Sequence, residues 1–282
     1  MVVPLIPPGV GLIIYGCINN ISIGKLFIAG IGPGIVLCVT LMIFTHFLSK
    51  KRGYLPSRTT KIPVSEKIAA VRPAFLPLLL PIIIIGGVRI GVFTASEAGT
   101  VAIVYAVLLG LLYKELTLKN VMQGCKETVT TTASIMLIVA AATCFSWILT
   151  KEQIPQQFSQ WMISNIHNKY VFLIMVNIFL LIVGMFIEGN ASMIVLAPLL
   201  HPVAMAYGID DIHFAMVYIF NCTIGAFTPP MGTLMFVSCG ITKCPTKDFI
   251  KEAVPFYILF AIDIIVLTYI PQLTTFLVNV FY

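Results

Sequence analysis

The residues best suited to bind an ion surround a pair of prolines late in the chain. An apolar helix expected over 212–243 is interrupted near its middle by Gly225, Thr228, Pro229 and Pro230. Because proline removes a backbone donor and clashes with the preceding turn, the helix ends there. Carbonyls that lose their partners at such a break coordinate Na⁺, while the N-terminus of the facing half-helix attracts an anion. A Pro kink used only for packing is the alternative interpretation.

A carboxylate inside an apolar region is the second candidate. Residues 184–192 place Glu188, Asn190 and Ser192 in a polar tip between two apolar arms. A carboxylate at membrane depth costs about 2.5–3.5 kcal/mol on insertion scales and is a functional-site hypothesis by default. Glu188 is therefore either functional or a hydrogen-bonded residue that pins the tip. The tip itself either joins two full spans or caps a re-entrant hairpin.

Other polar residues lie along the same predicted helices. Asn221, one turn before the break, is placed to bond freed backbone or a solute. Asp263 lies within the last apolar span without a basic residue close in sequence, which indicates a structural pairing or a protonated group. The cysteines form no CxxC pair and the histidines show no ligand spacing, so no metal beyond sodium is expected and no cofactor is predicted.

Composition defines the elements that must hold these groups. The 282 residues are 59% hydrophobic and 10% charged, with a mean hydropathy of +1.02, whereas soluble domains are about 25% charged. These values exclude a soluble enzyme, a nucleic-acid-binding protein and a disordered chain. The chain also lacks an HExxH motif and paired intramembrane aspartates, so no enzyme is predicted. After a half-length helix over 9–19, apolar spans are expected at 25–48, 74–91, 97–113, 130–149, 170–187, 190–207, 212–243 and 247–270.

Charge distribution orients these spans. Residues 50–72 carry seven Lys or Arg against one acid, which predicts a cytoplasmic loop. Threading outward from this loop places thirteen of the seventeen basic residues on the inner face. Within this arrangement, residues 115–127 are suited to a separate amphipathic helix lying along the membrane interface.

An internal repeat relates the start of the chain to the late broken helix. A gap-free alignment of the chain with itself places Pro7 and Pro8 on the later Pro-Pro pair, and Lys25 and Pro33 on a later lysine and proline. The threading gives the two copies opposite orientations, and inverted repeats with matching broken helices indicate a secondary-transporter site at the midplane. The second copy has a long helical region before its Pro-Pro pair and the first has almost none, so we expect the chain to begin inside a longer fold.

Several spaced motifs give the chain a family resemblance. They are Ile6-Pro7-Pro8, residues 22–30, Gly91 to Ala98, Gly184 to Glu188, residues 208–214 and Asn221 to Gly232. From about residue 3 to its C-terminus, the chain resembles the large membrane subunit of tripartite ATP-independent periplasmic (TRAP) transporters, the DctM-like permeases. Two positions depart from the family pattern: Val3 stands where glycine is usual, and Gly9 stands where serine is usual.

The resemblance implies an all-α polytopic membrane protein with an elevator-type ion-transporter-like fold, inverted repeats, broken helices and a re-entrant hairpin. It implies one sodium site built from backbone carbonyls and a symmetry-related second site. The implied carbonyl donors are Gly184, Gly225, Thr228 and Met231 in the first site and Val3, Ile6 and Gly9 in the second. The remaining candidates for the substrate and the hairpin are Glu188, Asn190, Ser192, Asn221, Pro229 and Pro230.

The resemblance also implies a function and partners. The expected protein is a sodium-coupled importer of organic acids, such as C4-dicarboxylates or sialic acid, in the bacterial inner membrane. It would work with a small DctQ-like membrane subunit and a periplasmic DctP-like binding protein, and with no nucleic acid. The alternative is a partial or non-functional fragment of such a permease from an interrupted gene. We expect three regions: the end of the first repeat (1–48), a basic loop with scaffold-type helices (49–149), and the second repeat (150–282).

Overall fold

The computed structural model describes residues 2, 4–54 and 63–282, so the Val3 prediction lies outside the described residues. The described residues form twelve α-helices, which confirms the all-α class. They are α1 (Val10–Asn19), α2 (Ile23–Arg52), α3 (Val64–Arg89), α4 (Ala95–Leu112), α5 (Leu118–Lys151), α6 (Ile154–Asn165), α7 (Lys169–Phe186), α8 (Gly189–Ala206), α9 (Asp211–Gly225), α10 (Thr233–Thr242), α11 (Thr246–Tyr269) and α12 (Gln272–Phe281).

Two compact units share these helices. Unit 1 comprises Met1–Thr40 and Thr132–Tyr282, and unit 2 comprises Leu41–Thr131. Within unit 2, α3 and α4 pack together, and the Tyr105 and Tyr113 hydroxyls donate to main-chain oxygens of α3 at 2.7 and 2.9 Å. The candidate residues lie in unit 1.

Helix α9 forms the centre of unit 1. Every residue from Ile212 to Gly225 is buried, and α1, α7, α8, α11 and α12 all pack against this helix. A helix with an apolar sequence on all sides is stable only when other helices cover it. The sequence of α9 is of this kind, and the five neighbouring helices cover it. Large side chains fill the space around it, with Tyr15, Phe172, Tyr218 and Phe260 at most 1% exposed.

Side-chain caps set the starts of the helices around α9. Asn168 accepts from the Tyr170 N–H at 2.8 Å and begins α7, and Asp210 accepts from the His213 N–H at 2.9 Å and begins α9. Asn and Asp are favoured at this position because their oxygens satisfy N–H groups that lack a helical partner. These two caps therefore fix the residues at which α7 and α9 begin.

The membrane-spanning prediction holds for five single helices of the described chain. They are Ile23–Arg52, Ala95–Leu112, Leu118–Leu149, Lys169–Phe186 and Gly189–Ala206. Helices α11 and α12 pass the length and hydropathy test together and meet at a 49° bend. The region 212–243 is not one span, since it consists of the short helices α9 and α10.

Two details differ from the sequence-based expectation. The predicted interfacial helix over 115–127 is the first part of α5, which continues unbroken to Lys151. No proline lies between Leu118 and Lys151 to end the helix, and Gly124 alone is tolerated. The segment 150–169, which lies between two predicted spans, contains the helix α6, which has a proline at its start.

Candidate functional site

A cavity of about 300 Å³ lies where three interruptions of the helices meet. Its wall is formed by the turn before α1, by the tip between α7 and α8, and by the break between α9 and α10. Of the predicted candidates, Gly9, Glu188 and Asn190 line it. The volume is at the lower end of the range of small-ligand sites, roughly 300–1,000 Å³. The structure therefore joins the two distant Pro-Pro segments and the polar tip in one site.

Two helix N-termini open onto this cavity without a side-chain cap. Gly9 precedes α1 and Gly232 precedes α10, and neither has a side chain to accept from the first-turn N–H groups. Val10, Thr233 and Leu234 of these first turns line the cavity. Unpaired N–H groups and the positive end of the helix dipole favour a negatively charged group. This wall is suited to a carboxylate.

The second break is held by its own backbone. The Thr228 N–H donates to the Gly225 carbonyl at 2.9 Å, and the Leu234 N–H donates across the break to Ala226 O at 2.9 Å. The Thr228 hydroxyl is engaged with Ile224 O at 2.8 Å. The Thr228 hydroxyl therefore supports the shape of the turn. The peptide bond between Pro229 and Pro230 in this turn is cis.

The predicted sodium ligands Gly184 and Gly225 are in direct backbone contact. A Cβ added at Gly225 would lie 2.7 Å from Gly184 Cα and 3.2 Å from Leu181 O. Only glycine allows α7 and α9 to approach this closely. Gly184 is in the last turn of α7, where carbonyls lack intrahelical partners. Of the other two predicted donors, Thr228 is three residues beyond Gly225, and the Met231 side chain is 58% exposed.

The first break repeats the turn of the second one. The Leu5 N–H donates to Val2 O at 3.0 Å, and at the matching position of the second copy the Phe227 N–H donates to Ile224 O at 3.0 Å. Ile6, the predicted donor of this copy, also donates its N–H to Val2 O, at 3.1 Å. A Cβ at Gly9 would lie 2.5 Å from Pro4 O, so glycine rather than serine fits here.

The helices that follow the two breaks also correspond. Both α1 and α10 have ten residues, and each ends at a left-handed residue, Asn20 or Lys243. Long helices follow, and each contains a proline, Pro33 in α2 and Pro255 in α11. The correspondence of the two copies therefore extends beyond the prolines to the helix lengths and their ends.

Glu188 and its neighbours form a hydrogen-bonded tip. The Ala191 N–H donates to Glu188 Oε2 at 3.1 Å and the Asn190 Nδ2 donates to Oε1 at 2.7 Å. Glu188 is thus the N-cap of α8 and also lines the cavity. Ser192 is turned into unit 1, with its hydroxyl 3.1 Å from the Tyr218 hydroxyl, and is 1% exposed.

Asn221 takes part in a buried polar layer between helices. Its Nδ2 donates to Asn177 Oδ1 at 2.8 Å and to Val217 O at 2.8 Å, and the Asn177 Nδ2 donates to Thr268 Oγ1 at 2.9 Å. Asn221 is not among the cavity-lining residues. The layer joins α7, α9 and α11, so the amide bonds neighbouring helices rather than the break.

Some residues of the site were not predicted from the sequence. Cys222 and Thr223 line the cavity, and Asn177 joins α7 to α9. Asn177 is the single amide within the apolar run of α7, and this was the available signal. Cys222 and Thr223 carry no pattern of their own, because their position depends on which face of α9 turns to the cavity.

The fold and the cavity define a class of protein. The chain is a polytopic helical membrane protein in which the breaks of two helices and the polar tip between α7 and α8 line one cavity. Transporters with discontinuous helices bind their solutes and ions at such places.

Comparison with known proteins identifies the family. Residues 1–273 match the family described as "Tripartite ATP-independent periplasmic transporter, DctM component". The chain therefore belongs to the DctM family, a family of transporter permeases and not of enzymes.

Characterised relatives have names that identify different solutes. The sialic acid TRAP transporter large permease protein SiaM of Vibrio cholerae is 40% identical over 99% of this chain and 65% of its own length. The C4-dicarboxylate TRAP transporter large permease protein DctM of Pseudomonas aeruginosa is 37% identical over 98% and 64%. The 2,3-diketo-L-gulonate TRAP transporter large permease protein YiaN of Escherichia coli is 34% identical over 97% and 64%. The chain thus spans about two thirds of the length of these relatives.

Proposed function

We propose that the chain is the permease subunit, or a large part of it, of a sodium-coupled importer of organic acids. The observation that carries this proposal is the single cavity formed by both breaks and the hairpin tip. The SiaM, DctM and YiaN relatives are named for a sialic acid, C4-dicarboxylates and a diketo sugar acid, all of which are carboxylates. The substrate class of the proposal is therefore the carboxylates.

The carboxylate of the solute binds at the uncapped N-termini of α1 and α10. These turns present N–H groups and the positive end of their dipoles to the cavity. The N-terminus of α8 already holds a carboxylate, that of Glu188. The solute therefore meets a protein carboxylate and two helix ends without side-chain caps in the same wall.

Sodium binds through main-chain oxygens beside the α7–α9 crossing. The proposed donors are the carbonyls of Gly184, Gly225, Thr228 and Met231, with Ile6, Gly9 and Val3 as the symmetry-related set. A cation at the break offsets the charge of the Glu188 carboxylate and of the bound solute. Each charge that crosses with the membrane potential gains about 2.3 kcal/mol per 100 mV, so the sodium gradient supplies the driving force.

The proposed partners follow from the tripartite family. A DctQ-like small membrane subunit accompanies the permease in the inner membrane, and a DctP-like periplasmic protein delivers the solute. The alternative proposal, a partial permease from an interrupted gene, predicts an in-frame coding remnant in the DNA upstream of Met1.

Reconstituted transport tests the proposal. The protein is placed in proteoliposomes with its small subunit and a binding protein encoded by a neighbouring gene, and uptake of the acid that shifts the binding protein's melting temperature is measured. We expect uptake when sodium is outside and none when potassium replaces it. Equal uptake in the two salts would overturn the sodium coupling. Uptake of none of the acids that the binding protein binds would favour the partial-permease alternative.

A further inference from the structure

A buried carboxyl group lies outside the cavity and outside the proposed transport mechanism. Asp263 is in the C-terminal half of α11 and is 2% exposed. An ionised carboxylate in an apolar interior is stable only when a cation or several hydrogen-bond donors compensate it. Its surroundings therefore determine whether it carries a proton.

The hydrogen-bond partner of Asp263 offers only one proton. Thr40 Oγ1 of α2 lies 2.9 Å from Asp263 Oδ2 and 3.1 Å from Leu37 O. A hydroxyl has one proton to donate and two lone pairs with which to accept. If Asp263 is ionised, the carboxylate and the Leu37 carbonyl compete for that single proton. If Asp263 is protonated, it donates to Thr40 and Thr40 donates to Leu37 O, so both contacts are satisfied.

The charged side chains of the neighbouring helices lie towards the helix ends, whereas several of their titratable Tyr and Cys groups lie within the helices. Glu252 is the acidic residue of α11 nearest in sequence, eleven residues away, which is roughly 16 Å along the helix. His213 of α9 is hydrogen-bonded to Thr268 O of α11 and to Thr274 Oγ1 of α12. The remaining groups on the helices that pack with α11 or bond to it are Lys25, Cys38, His46, Lys50, Lys51 and Arg52 on α2, Lys169 and Tyr170 on α7, Asp211, Tyr218 and Cys222 on α9, Cys239 on α10, and Lys247, Asp248, Lys251, Tyr257 and Tyr269 on α11.

No cation pairs with the Asp263 carboxyl in the described part of the chain, and its side-chain partner there is the Thr40 hydroxyl. Burial disfavours the ionised form, and a lone hydroxyl does not compensate it. The burial of Asp263 and the number of protons available for its hydrogen bonds each indicate that the carboxyl group is protonated.

We infer that Asp263 is a proton-binding site that joins the long helices following the two breaks. Helix α2 follows the first Pro-Pro pair and α11 follows the second, and the Thr40–Asp263 contact links them. Loss of the proton leaves a buried negative charge whose side-chain donor among the described residues is the Thr40 hydroxyl, and burial of that charge costs free energy. Proton binding thereby favours the buried contact of Asp263 with Thr40 of α2, independently of sodium at the breaks.

Infrared spectroscopy of the purified protein in lipid nanodiscs tests this site. We expect the C=O stretch of a protonated carboxylic acid at neutral pH in the wild type and its loss in Asp263→Asn. This substitution is conservative, because an amide Nδ2 donates to Thr40 as a protonated carboxyl does. Asp248→Asn, in the exposed first turn of α11, is the matched control and leaves the band unchanged. Identical spectra for the wild type and Asp263→Asn would overturn the inference.

The dependence of stability on pH gives a second readout. Asp263 is ionised in the unfolded chain above about pH 4 and protonated in the folded chain, so folding binds a proton. The unfolding equilibrium constant of the wild type should therefore rise about tenfold per pH unit relative to Asp263→Asn, up to the pH at which the folded group ionises. Parallel pH profiles for the two proteins would contradict a bound proton. If Asp263→Asn does not fold, loss of the acid band during an alkaline titration of the wild type decides the matter: a band that is absent throughout overturns the inference.

Discussion

The close contact between α7 and α9 makes Gly225 the most informative position for a single substitution. In Gly225→Ala the new methyl carbon would lie 2.7 Å from Gly184 Cα and 2.9 Å from Gly184 C. Carbon atoms in ordinary contact are about 3.5–4.0 Å apart, so the two helices must separate by roughly 1 Å. The atoms that it meets are backbone atoms, which a rotamer change cannot move aside. The carbonyls on both sides of the break shift with them.

The expected cost follows from this overpacking. Methyl groups forced into a packed interior destabilise proteins by about 1–3 kcal/mol. At about 2–4 °C per kcal/mol for a chain of this size, Tm should fall by roughly 2–12 °C. Sodium binding adds a second effect, since a ligand of the folded state raises Tm. We expect the extra Tm shift that sodium gives over potassium to be present in the wild type and absent in Gly225→Ala.

Gly189→Ala is the matched control for this measurement. Gly189 lines the same cavity, yet a Cβ there would meet Cys222 Cβ at 3.6 Å, an ordinary contact. Thermal unfolding of the purified protein in nanodiscs, in sodium and in potassium, compares the two variants. Gly189→Ala should keep both the wild-type Tm and the sodium-specific shift. If Gly225→Ala matches it in both respects, the close contact does not organise the site.

Substitutions at three further positions test other parts of the site. Thr228→Ser should keep its bond to Ile224 O and its sodium-dependent uptake. Thr228→Val should lower the free energy of unfolding by about 0.5–1.5 kcal/mol, measured by thermal unfolding. Equal stability of the two variants would refute a role for the hydroxyl in the turn. Glu188→Ala should lose the cap of α8 and lower the free energy of unfolding by about 0.5–2 kcal/mol. Glu188→Gln retains an acceptor, so uptake by this variant measures the importance of charge. Unchanged stability of Glu188→Ala would contradict the capping role. Asn177→Leu should remove one of the two acceptors of the buried Asn221 Nδ2, leaving Val217 O as the other, and cost about 1–3 kcal/mol. An unchanged Tm would show that the layer does not hold α7 to α9.

The interruptions of the helices were predictable from sequence because proline imposes them. The pair Pro229 and Pro230 removes two backbone donors, and the structure ends α9 at Gly225 and starts α10 at Thr233. The internal repeat likewise predicted a second break near the start of the chain, at its first Pro-Pro pair. Proline imposes this break through its own covalent ring, so its effect on the backbone can be predicted wherever a proline occurs in the sequence.

The meeting of the breaks and the tip in one cavity was not predictable in the same way. Glu188 and Asn190 are far from Gly9 in sequence, and no local preference relates them. Their proximity depends on how α1 and α8 pack against α9. The family resemblance named the glycines as sodium ligands, whereas their backbone contact is visible only in the structure.

The lengths of the helices also could not be predicted from hydropathy. The basic and polar residues between 115 and 127 indicated a helix separate from the span that follows, yet α5 runs through both. Hydropathy records the solvent that a segment prefers, whereas helix continuity depends on the absence of a residue that breaks the backbone ladder. For the same reason α6 was missed within 150–169, where polar side chains concealed a regular helix.

Binding of radioactive sodium to the purified permease tests the central claim most directly. We expect saturable binding that potassium does not displace, retained by Thr228→Ser and by Gly189→Ala and lost in Gly225→Ala. This pattern would assign the ion to main-chain oxygens at the break, because only the last variant displaces the backbone. Sodium binding that persists unchanged in Gly225→Ala, or its absence from the wild type, would contradict the account.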